Sequence, residues 1–503
     1  MTFEQLLDGA EVLSEKGNPD VSSVEYDSRR VKPGSLFVAM HGDTSDGNRF
    51  IDRAIEAGAV AIVTDSASEN PRERAAWAVV PHGRRALARI SQNFYRRPAE
   101  RLAITGITGT NGKSTTAFLV EAILSAAARK SALIGTIEYH VAGRTYPAPH
   151  TTPEPLELAR LFSEAVGQGA TDAVMEVSSH AQAQQRIFGV PFDVAIFTNL
   201  TRDHLDYHKT MAAYFAAKRV LFEGCGTEAP RAAVTNLDDE YGAELAEFSR
   251  KRSSTVLTYG WSRGDFRAEK VDITPRGTRF DLMASEQRLA IFSPLIGRVN
   301  VYNILAAAAA GSARGCSADA IARGVSSLTH VPGRFERVDC GQPFTVVVDY
   351  AHTDDALKNL TSLAREFVSR SGATARVLTL FGCGGDRDRA KRPLMGEAAG
   401  RGSDFVVLTS DNPRSEDPRA IINDALVGLQ KSGAKYSVEP DRRKAIGLAI
   451  GEARPGDIVL LAGKGHEKVQ VTGAGSHPFD DAQVAREVLK ANGFECAAVS
   501  TSA

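Results

Sequence analysis

The segment TGITGTNGKST, residues 105–115, sets glycines beside a lysine and hydroxyl groups. That combination suits phosphate oxygens. A Gly-rich turn between a strand and a helix lets backbone N–H groups converge on an anion. Lys113 would place a positive charge on the β- and γ-phosphates of a nucleotide, and the Ser114 hydroxyl would bind Mg²⁺. The strict pattern GxxxxGK[ST] asks for glycine where this chain has Ile107, so the loop is a variant. A capping turn with an incidental Gly-Lys-Ser is the plainer reading. The apolar run LAIT before it and the helical stretch TTAFLVEAILSAAA after it favour phosphate binding. Kinases, switches, motors and ligases all use such loops, so other residues must decide the chemistry.

Glu176 closes the apolar run of DAVMEVSSH, where a carboxylate can complete the shell of a Mg²⁺ held by Ser114 and nucleotide. FTNLTRDHLDYH follows the next apolar run and clusters Asp203, His204, Asp206 and His208, a density that packing does not ask for. Lys218 lies in YFAAKRVLF, where by itself a helical lysine reads as a solvated one.

These residues need a scaffold. Apolar runs alternate with helical stretches: DAVMEVS, FDVAIFTNL and AAVTNL in the middle of the chain, then TVVVDYA, ARVLTLFG, DFVVLT and DIVLLAG. This alternation predicts βαβ units and parallel sheets covered on both faces, with ligands at the carboxyl ends of the strands. An earlier block holds SLFVAM, a helix FIDRAIEAGA and VAIVT. Linkers are expected at Tyr95–Arg101, with Pro98, and at Val331–Arg334. The run Ala306 to Ala310 reads as a tightly packed helix. At 503 residues the prior is three domains. A net charge of −1 leaves no basic field for nucleic acid or an anionic membrane. No apolar run approaches the roughly 18 residues of a membrane span. MTFEQLLDGAEVL does not read as a signal peptide. The five cysteines are scattered singly, which excludes a CxxC zinc site and speaks against a disulfide framework. The expectation is a cytoplasmic, reduced, multidomain protein.

Taken in order, TGTNGKST, MEVSSHA, FTNLTRDHLDYH, YFAAKRVLF, GRVNVYN, PGRFERV and DYAHT resemble the Mur ligases, enzymes that build the peptide stem of bacterial peptidoglycan. DSRRVKPGSLFVAMHGDTSDG, FGCGGDRDRAKRP, SDNPRSEDP and AGKGHE are similar to the diaminopimelate-adding members. The resemblance implies a three-domain α/β enzyme. Residues 1–100 would bind the UDP substrate. Residues 101–332 would form the central P-loop parallel-sheet ATPase domain. Residues 333–503 would form a Rossmann-like domain that binds the amino acid. It implies ATP-dependent addition of meso-2,6-diaminopimelate to UDP-N-acetylmuramoyl-L-alanyl-D-glutamate through an acyl phosphate, with Mg²⁺, in a cytoplasmic monomer. By the same resemblance Lys113, Glu176, His204, Lys218 and Asp349 are catalytic. ATP is held by Gly109 to Thr115 (with Thr110, Asn111, Gly112, Lys113 and Ser114), by Asn300 and Asn303, and by Arg334. Lys218 is N6-carboxylated and helps His204 hold a second Mg²⁺, beside the one that Ser114 and Glu176 hold. Ser28, Asp43, Thr44, Ser45, Thr151, Thr152, Ser178, Gln184 and Arg186 hold the UDP-muramoyl-dipeptide. Arg387, Asp411, Asn412, Pro413, Arg414, Gly463 and Glu467 hold diaminopimelate. Arg414 can pair with the distal carboxylate that lysine lacks, and Glu467 can accept from the distal ammonium. DNPR with FGCGGDRD separates this reading from a folylpolyglutamate synthetase or another Mur ligase. The intact charged residues separate it from a non-enzymatic switch. Where the family has proline after DYAHT, this chain has Asp354.

Overall fold

A computed structural model describes residues 1–42, 45–66, 74–252, 255–284, 287–371 and 374–496. Its architecture is mixed α/β, built on three main sheets. In the middle of the chain, six parallel strands lie side by side in the order Thr255–Gly260, Ala232–Asn236, Val194–Phe197, Ala103–Thr108, Asp172–Glu176 and Ser131–Ile134. Strands that are apolar throughout need cover on both faces. One face receives the helices Lys113–Ala126 and Arg298–Ala313 through Leu119, Ile123, Ile304 and Leu305. The other receives Pro155–Gly167 and Met211–Glu223 through Phe162, Tyr214 and Phe222. Ala306 to Ala310 are all fully buried, and their small side chains let the helix lie close to its neighbours.

The central sheet also carries antiparallel wings. Phe266–Thr274, Gly277–Ala284 and Gln287–Ser293 extend one side; Glu138–Val141 and Arg144–Pro147 extend the other. The C-terminal sheet runs Glu336–Val338, Thr345–Asp349, Ile458–Ala462, Val377–Phe381, Phe405–Leu408 and Lys435–Val438, parallel except at its first strand. The N-terminal sheet has five strands, with Ser35–Ala39 and Ala61–Thr64 at its buried centre. Among the described residues no helix is long and apolar enough to cross a membrane.

Two expectations can be compared with the structure, and the second is corrected. The stretch Tyr95–Arg101, expected as a linker, has defined local structure. The chain turns through Arg96 and Arg97, whose φ angles are 62° and 52°, and then enters a short 3₁₀ helix, Pro98–Arg101. Ala99 of that helix is buried in the central core with Leu102. The second concerns the cysteines: Cys340 and Cys496 are joined as a disulfide 156 residues apart. Spacing could not reveal this, because the pairing depends on the chain after the helix Asp481–Ala491 returning to the strand pair Glu336–Val338 and Thr345–Asp349. Phe344 and Phe494 pack edge to face there. Cys225, Cys316 and Cys383 are free.

Candidate functional site

The phosphate loop leaves the strand Ala103–Thr108 and ends at Gly112, the N-cap of the helix Lys113–Ala126. Gly112 has a φ of 86°, which a residue with a Cβ adopts at a cost. A Cβ there would also strike Asn303 Oδ1. Asn303 donates to Asn300 Oδ1 at 3.1 Å, and Asn300 donates to the Ile296 carbonyl at 2.8 Å. Both amides of GRVNVYN are thus set in place against the loop. Lys113 Nζ bends back onto the carbonyls of Gly109 and Thr110 at 3.0 and 2.9 Å. Burial lowers its pKa, with the Glu176 carboxylate working in the other direction.

Lys218 reaches the same loop from the helix Met211–Glu223. Its Nζ donates to the Gly109 carbonyl at 2.8 Å and stands 4.5 Å from the centre of the Tyr214 ring. The side chain is 1% exposed, so the solvated reading of this lysine is corrected. Burial, with the Lys113 charge, drives its amine well below the ordinary lysine range. Glu176 ends its strand 1% exposed, accepting from Thr136 N at 2.8 Å and Thr136 Oγ1 at 2.9 Å. Gly135 makes room for it: a Cβ there would lie 2.6 Å from Glu176 Oε1.

The cluster of FTNLTRDHLDYH divides. His204, with a φ of 54°, stays beside Asp203, its Nε2 3.4 Å from Asp203 Oδ2. Burial pushes the imidazole down to about 3, against the pull of Asp203. His208 turns inward, its Nε2 2.9 Å from Ser179 Oγ and its ring stacked on Tyr214. Asp206 is exposed. Packing of Tyr207, Tyr214 and His180 therefore accounts for part of what the spacing brought together.

The C-terminal domain closes over this surface. Arg334 Nη2 donates to Ser114 Oγ at 3.3 Å, and Asn111 Nδ2 donates to Asp355 Oδ2 at 3.2 Å. Asp349 accepts the N–H groups of Phe335 and Ala351 at 2.7 and 2.8 Å, which fixes Arg334's neighbour in the loop. Asp203 gathers Lys391 Nζ at 3.2 Å and His352 Nε2 at 3.7 Å from the same domain. Burial opposes the charge of Asp203, but His352, Lys391 and His204 outweigh it and hold the carboxyl well below the usual range. Asp354 opens the helix Asp354–Ser371, where Thr353 Oγ1 accepts from Ala356 N. Proline suits the first position of a helix, and an acidic residue suits it as well through the helix dipole.

Beyond the strand ends Phe381 and Leu408 lie the two loops expected to read an amino acid. Arg387 donates to the Asp386 carbonyl at 2.9 Å and Arg414 to the Gly385 carbonyl at 2.7 Å. The two flank Gly384, where a Cβ would lie 3.1 Å from Arg414 Nη1 and 3.7 Å from Arg387 Cγ. Burial and the Arg387 charge both lower the pKa of Arg414. The Asp411 and Glu467 carboxylates act against that shift, and Asp386 feels both guanidinium charges. Two guanidinium groups this close, each donating to a backbone carbonyl, suit an anion. Asn412 and Glu467 are linked at 2.7 Å, and Gly463 leaves space for Asp411, whose Oδ2 a Cβ would meet at 3.0 Å. Pro413 shares its loop, where its carbonyl oxygen crowds Gly385. Composition held no signal for three buried cations that knit this region: Lys391, Arg392 and Lys464. Their signal lay in the motifs FGCGGDRDRAKRP and AGKGHE.

Toward the N-terminal domain, Thr151 Oγ1 is 3.0 Å from Thr136 Oγ1, and Thr152 Oγ1 donates to the Glu176 carbonyl at 2.8 Å. Ser178 caps the helix Ser179–Ala183, and Gln184 follows that helix. Arg186 donates to the Thr152 carbonyl at 3.0 Å and sits 3.0 Å from Glu154 Oε1, while Arg84 reaches Glu154 Oε2. Ser28 is buried and Ser45 exposed; Asp43 and Thr44 lie outside the described residues.

Three family models match the chain. They are the Mur ligase family catalytic domain over residues 20–95, the Mur ligase middle domain over 107–311, and the Mur ligase glutamate ligase domain over 333–465. A UDP-N-acetylmuramoyl-L-alanyl-D-glutamate--2,6-diaminopimelate ligase of Solibacter usitatus (strain Ellin6076) is 55% identical over 481 residues, covering 95% of this chain and 96% of that protein. The protein of the same name in Geobacillus thermodenitrificans (strain NG80-2) is 47% identical over 480 residues, covering 94% and 96%. A solved structure bearing that name is 34% identical, with a TM-score of 0.65 over 94% of this chain and 95% of that one. MurF from Acinetobacter baumannii, 18% identical with a TM-score of 0.66 and 98% of each chain covered, shares the fold.

Proposed function

Because the chain belongs to the Mur ligase family, we propose that it adds meso-2,6-diaminopimelate to UDP-N-acetylmuramoyl-L-alanyl-D-glutamate. The addition is coupled to ATP and serves peptidoglycan precursor synthesis. The observation that carries this reading is the pair Arg387 and Arg414, set around Gly384 beside Asn412 and Glu467. Diaminopimelate differs from lysine by a carboxylate at its far end, and paired guanidinium groups suit that carboxylate. Relatives named for this activity align over most of the chain.

A carboxylate is a poor electrophile because its oxygen does not leave. ATP would transfer its γ-phosphoryl group to the free carboxylate of the D-Glu residue. The amine of the incoming amino acid would attack that acyl phosphate, and the tetrahedral adduct would lose phosphate to leave an amide. Bringing anions together requires positive charge at fixed positions. Lys113 and the loop amides face the phosphates, Arg334 approaches from the other domain, and Asn300 and Asn303 offer amides to the adenine edge. Asp349 holds the backbone around Arg334.

Ser114 and Glu176 offer hydroxyl and carboxylate to one Mg²⁺, and His204 would hold a second once an anionic group is supplied beside it. Lys218 can supply that group. Its burial favours the uncharged amine, the form that attacks CO₂; the new N–C bond forms with loss of one proton, and a carbamate replaces the amine. When bound, Mg²⁺ would screen the phosphate charges.

Residues 1–100 are assigned to the UDP-bearing substrate, 101–332 to ATP and 333–503 to the amino acid. Ser28, Ser45, Thr151, Thr152, Ser178, Gln184 and Arg186 are assigned to the muramoyl-dipeptide nucleotide. The chain acts as a monomer in the cytoplasm, where ATP and nucleotide-linked precursors meet. The test is ATP hydrolysis by the purified protein. Turnover that requires both the UDP-muramoyl-dipeptide and diaminopimelate, with a product of the summed mass less one water, supports the reading. Turnover without either substrate, or no lengthened peptide, removes it.

A further inference from the structure

Lys464, in the middle of AGKGHE, is fully buried, with 0% of its surface exposed. An ammonium has three N–H donors, and here all three are engaged. They go to Asn412 Oδ1 at 3.1 Å, Glu467 Oε2 at 3.1 Å and the Val469 carbonyl at 2.7 Å. Asp411 Oδ1 lies 3.6 Å away. A group with no free donor and no exposed surface has no means of touching a substrate. It does determine where its partners point. Asn412 Oδ1 accepts from Lys464 and from Val471 N at 2.9 Å, so the amide must turn its Nδ2 outward. That Nδ2 donates to Glu467 Oε2 at 2.7 Å. Among the described residues, the hydrogen bonds from Asn412 and Lys464 to the Glu467 carboxylate therefore both fall on Oε2, leaving Oε1 for a ligand.

The loop backbone has separate support. Arg442, fully buried against Asp481 at 2.8 and 2.6 Å, donates to the Ala462 carbonyl at 3.0 Å, just before Gly463. Loss of Lys464 should thus loosen the side chains and the Val469 carbonyl it holds, while the strand end at Ala462 stays in place.

We propose that Lys464 is a positioning residue for the incoming amino acid: it sets Glu467 and Asn412 to receive an ammonium group beside the carboxylate-reading Arg387 and Arg414. This rests on the reading of diaminopimelate as that amino acid.

The experiment is steady-state kinetics on the full chain for Lys464→Met, Lys464→Gln, Glu467→Gln and the double variant Lys464→Met/Glu467→Gln. The expected result is a KM for diaminopimelate raised about tenfold or more in Lys464→Met, as for loss of a charge-assisted hydrogen bond. The KM values for ATP and the UDP substrate should stay within about twofold. The double variant should be no worse than the poorer single, because both changes remove one arrangement. An unchanged KM for diaminopimelate, an equal rise for all three substrates, or additive effects would overturn the proposal. Thermal unfolding reports whether Lys464→Met folds; if it does not, Lys464→Gln decides by the same criteria. Failure of both to fold would make Lys464 a folding residue and overturn the proposal too. Wild-type protein that adds no diaminopimelate overturns the parent reading, a result distinct from a variant that behaves like an active wild type.

Discussion

Lys391, carried by the C-terminal domain, stands 3.2 Å from the carboxylate of Asp203 in the central domain, and both side chains are almost wholly enclosed. Breaking a buried pair by removing one partner costs on the order of 3–5 kcal/mol, because the remaining charge loses its compensation. Here the pair joins two domains, so the cost falls on their closure. Lys391→Met is expected to lower kcat about tenfold or more. It should also enlarge the radius of gyration by small-angle scattering with ATP and the UDP substrate bound. A variant with wild-type scattering and wild-type rate would show that the pair does not hold the domains.

Lys218 should carry a carbamate. Protein equilibrated with ¹³C-labelled bicarbonate should display one slowly exchanging carbamate carbon by NMR, absent from Lys218→Ala. The same substitution should reduce turnover by about a thousandfold, in the range seen when a group essential to the chemistry is deleted. A carbamate signal that persists in Lys218→Ala would assign it to another amine.

Arg414→Ala should remove much of the preference for diaminopimelate over lysine. A paired charge-assisted hydrogen bond is worth roughly ten- to a hundredfold, so the ratio of the two kcat/KM values should fall by about that factor. Competition between the two amino acids, read by product mass, measures it. Wild-type protein that uses both at equal rates would remove this account of selectivity.

Gly112→Ala forces a side chain onto a residue with a φ of 86° and into Asn303 Oδ1. Backbone strain of about 1 kcal/mol adds to the displaced amide. The KM for ATP should rise about tenfold, with the KM for diaminopimelate unaffected. Equal KM values for ATP in variant and wild type would mean that the amide yields freely.

His140 supplies a pH signature away from the site. Its Nδ1 is 2.8 Å from Glu121 and its Nε2 2.9 Å from Glu138. Burial lowers the pKa, but the two carboxylates outweigh it and raise the imidazole to about 9, above its ordinary 6.5. A raised folded-state value means that the stabilisation is complete below about 6.5 and lost as pH climbs through about 9. The unfolding temperature should therefore fall between pH 7 and 9.5, roughly the span of that titration. His140→Gln should flatten that stretch of the curve. A wild-type curve already flat there would exclude the effect.

The central parallel strands were legible because they are buried, largely apolar runs, whereas the edge strands Thr255–Gly260 and Lys435–Val438 carry polar and exposed residues and left no such run. Val194–Phe197 and Ile458–Ala462 appear in the sequence as runs that only a sheet covered on both faces needs. The antiparallel wing was not, because Phe266–Thr274 exposes one face and alternates, leaving no run to notice. The phosphate loop stood out through Gly112, Lys113 and Ser114. Lys218 did not, since a lysine on a helix carries no mark of the core it enters. His208 misled in the opposite sense: it stands four residues from His204, yet it packs onto Tyr214 and Ser179. Arg186, expected at the substrate, pairs with Glu154, which also answers to Arg84, a residue 70 positions before that glutamate. Such pairings belong to the assembled molecule and have no local trace.

Arg334 on Ser114 and Asp355 on Asn111 roof the phosphate loop with groups from another domain. If a nucleotide seats beneath them, both contacts must part for it to leave, and release of spent ADP would need whole lobes to swing through the surrounding fluid. Turnover would then be tied to hydrodynamic drag: a medium thickened with sucrose should slow the cycle even when every reactant is abundant.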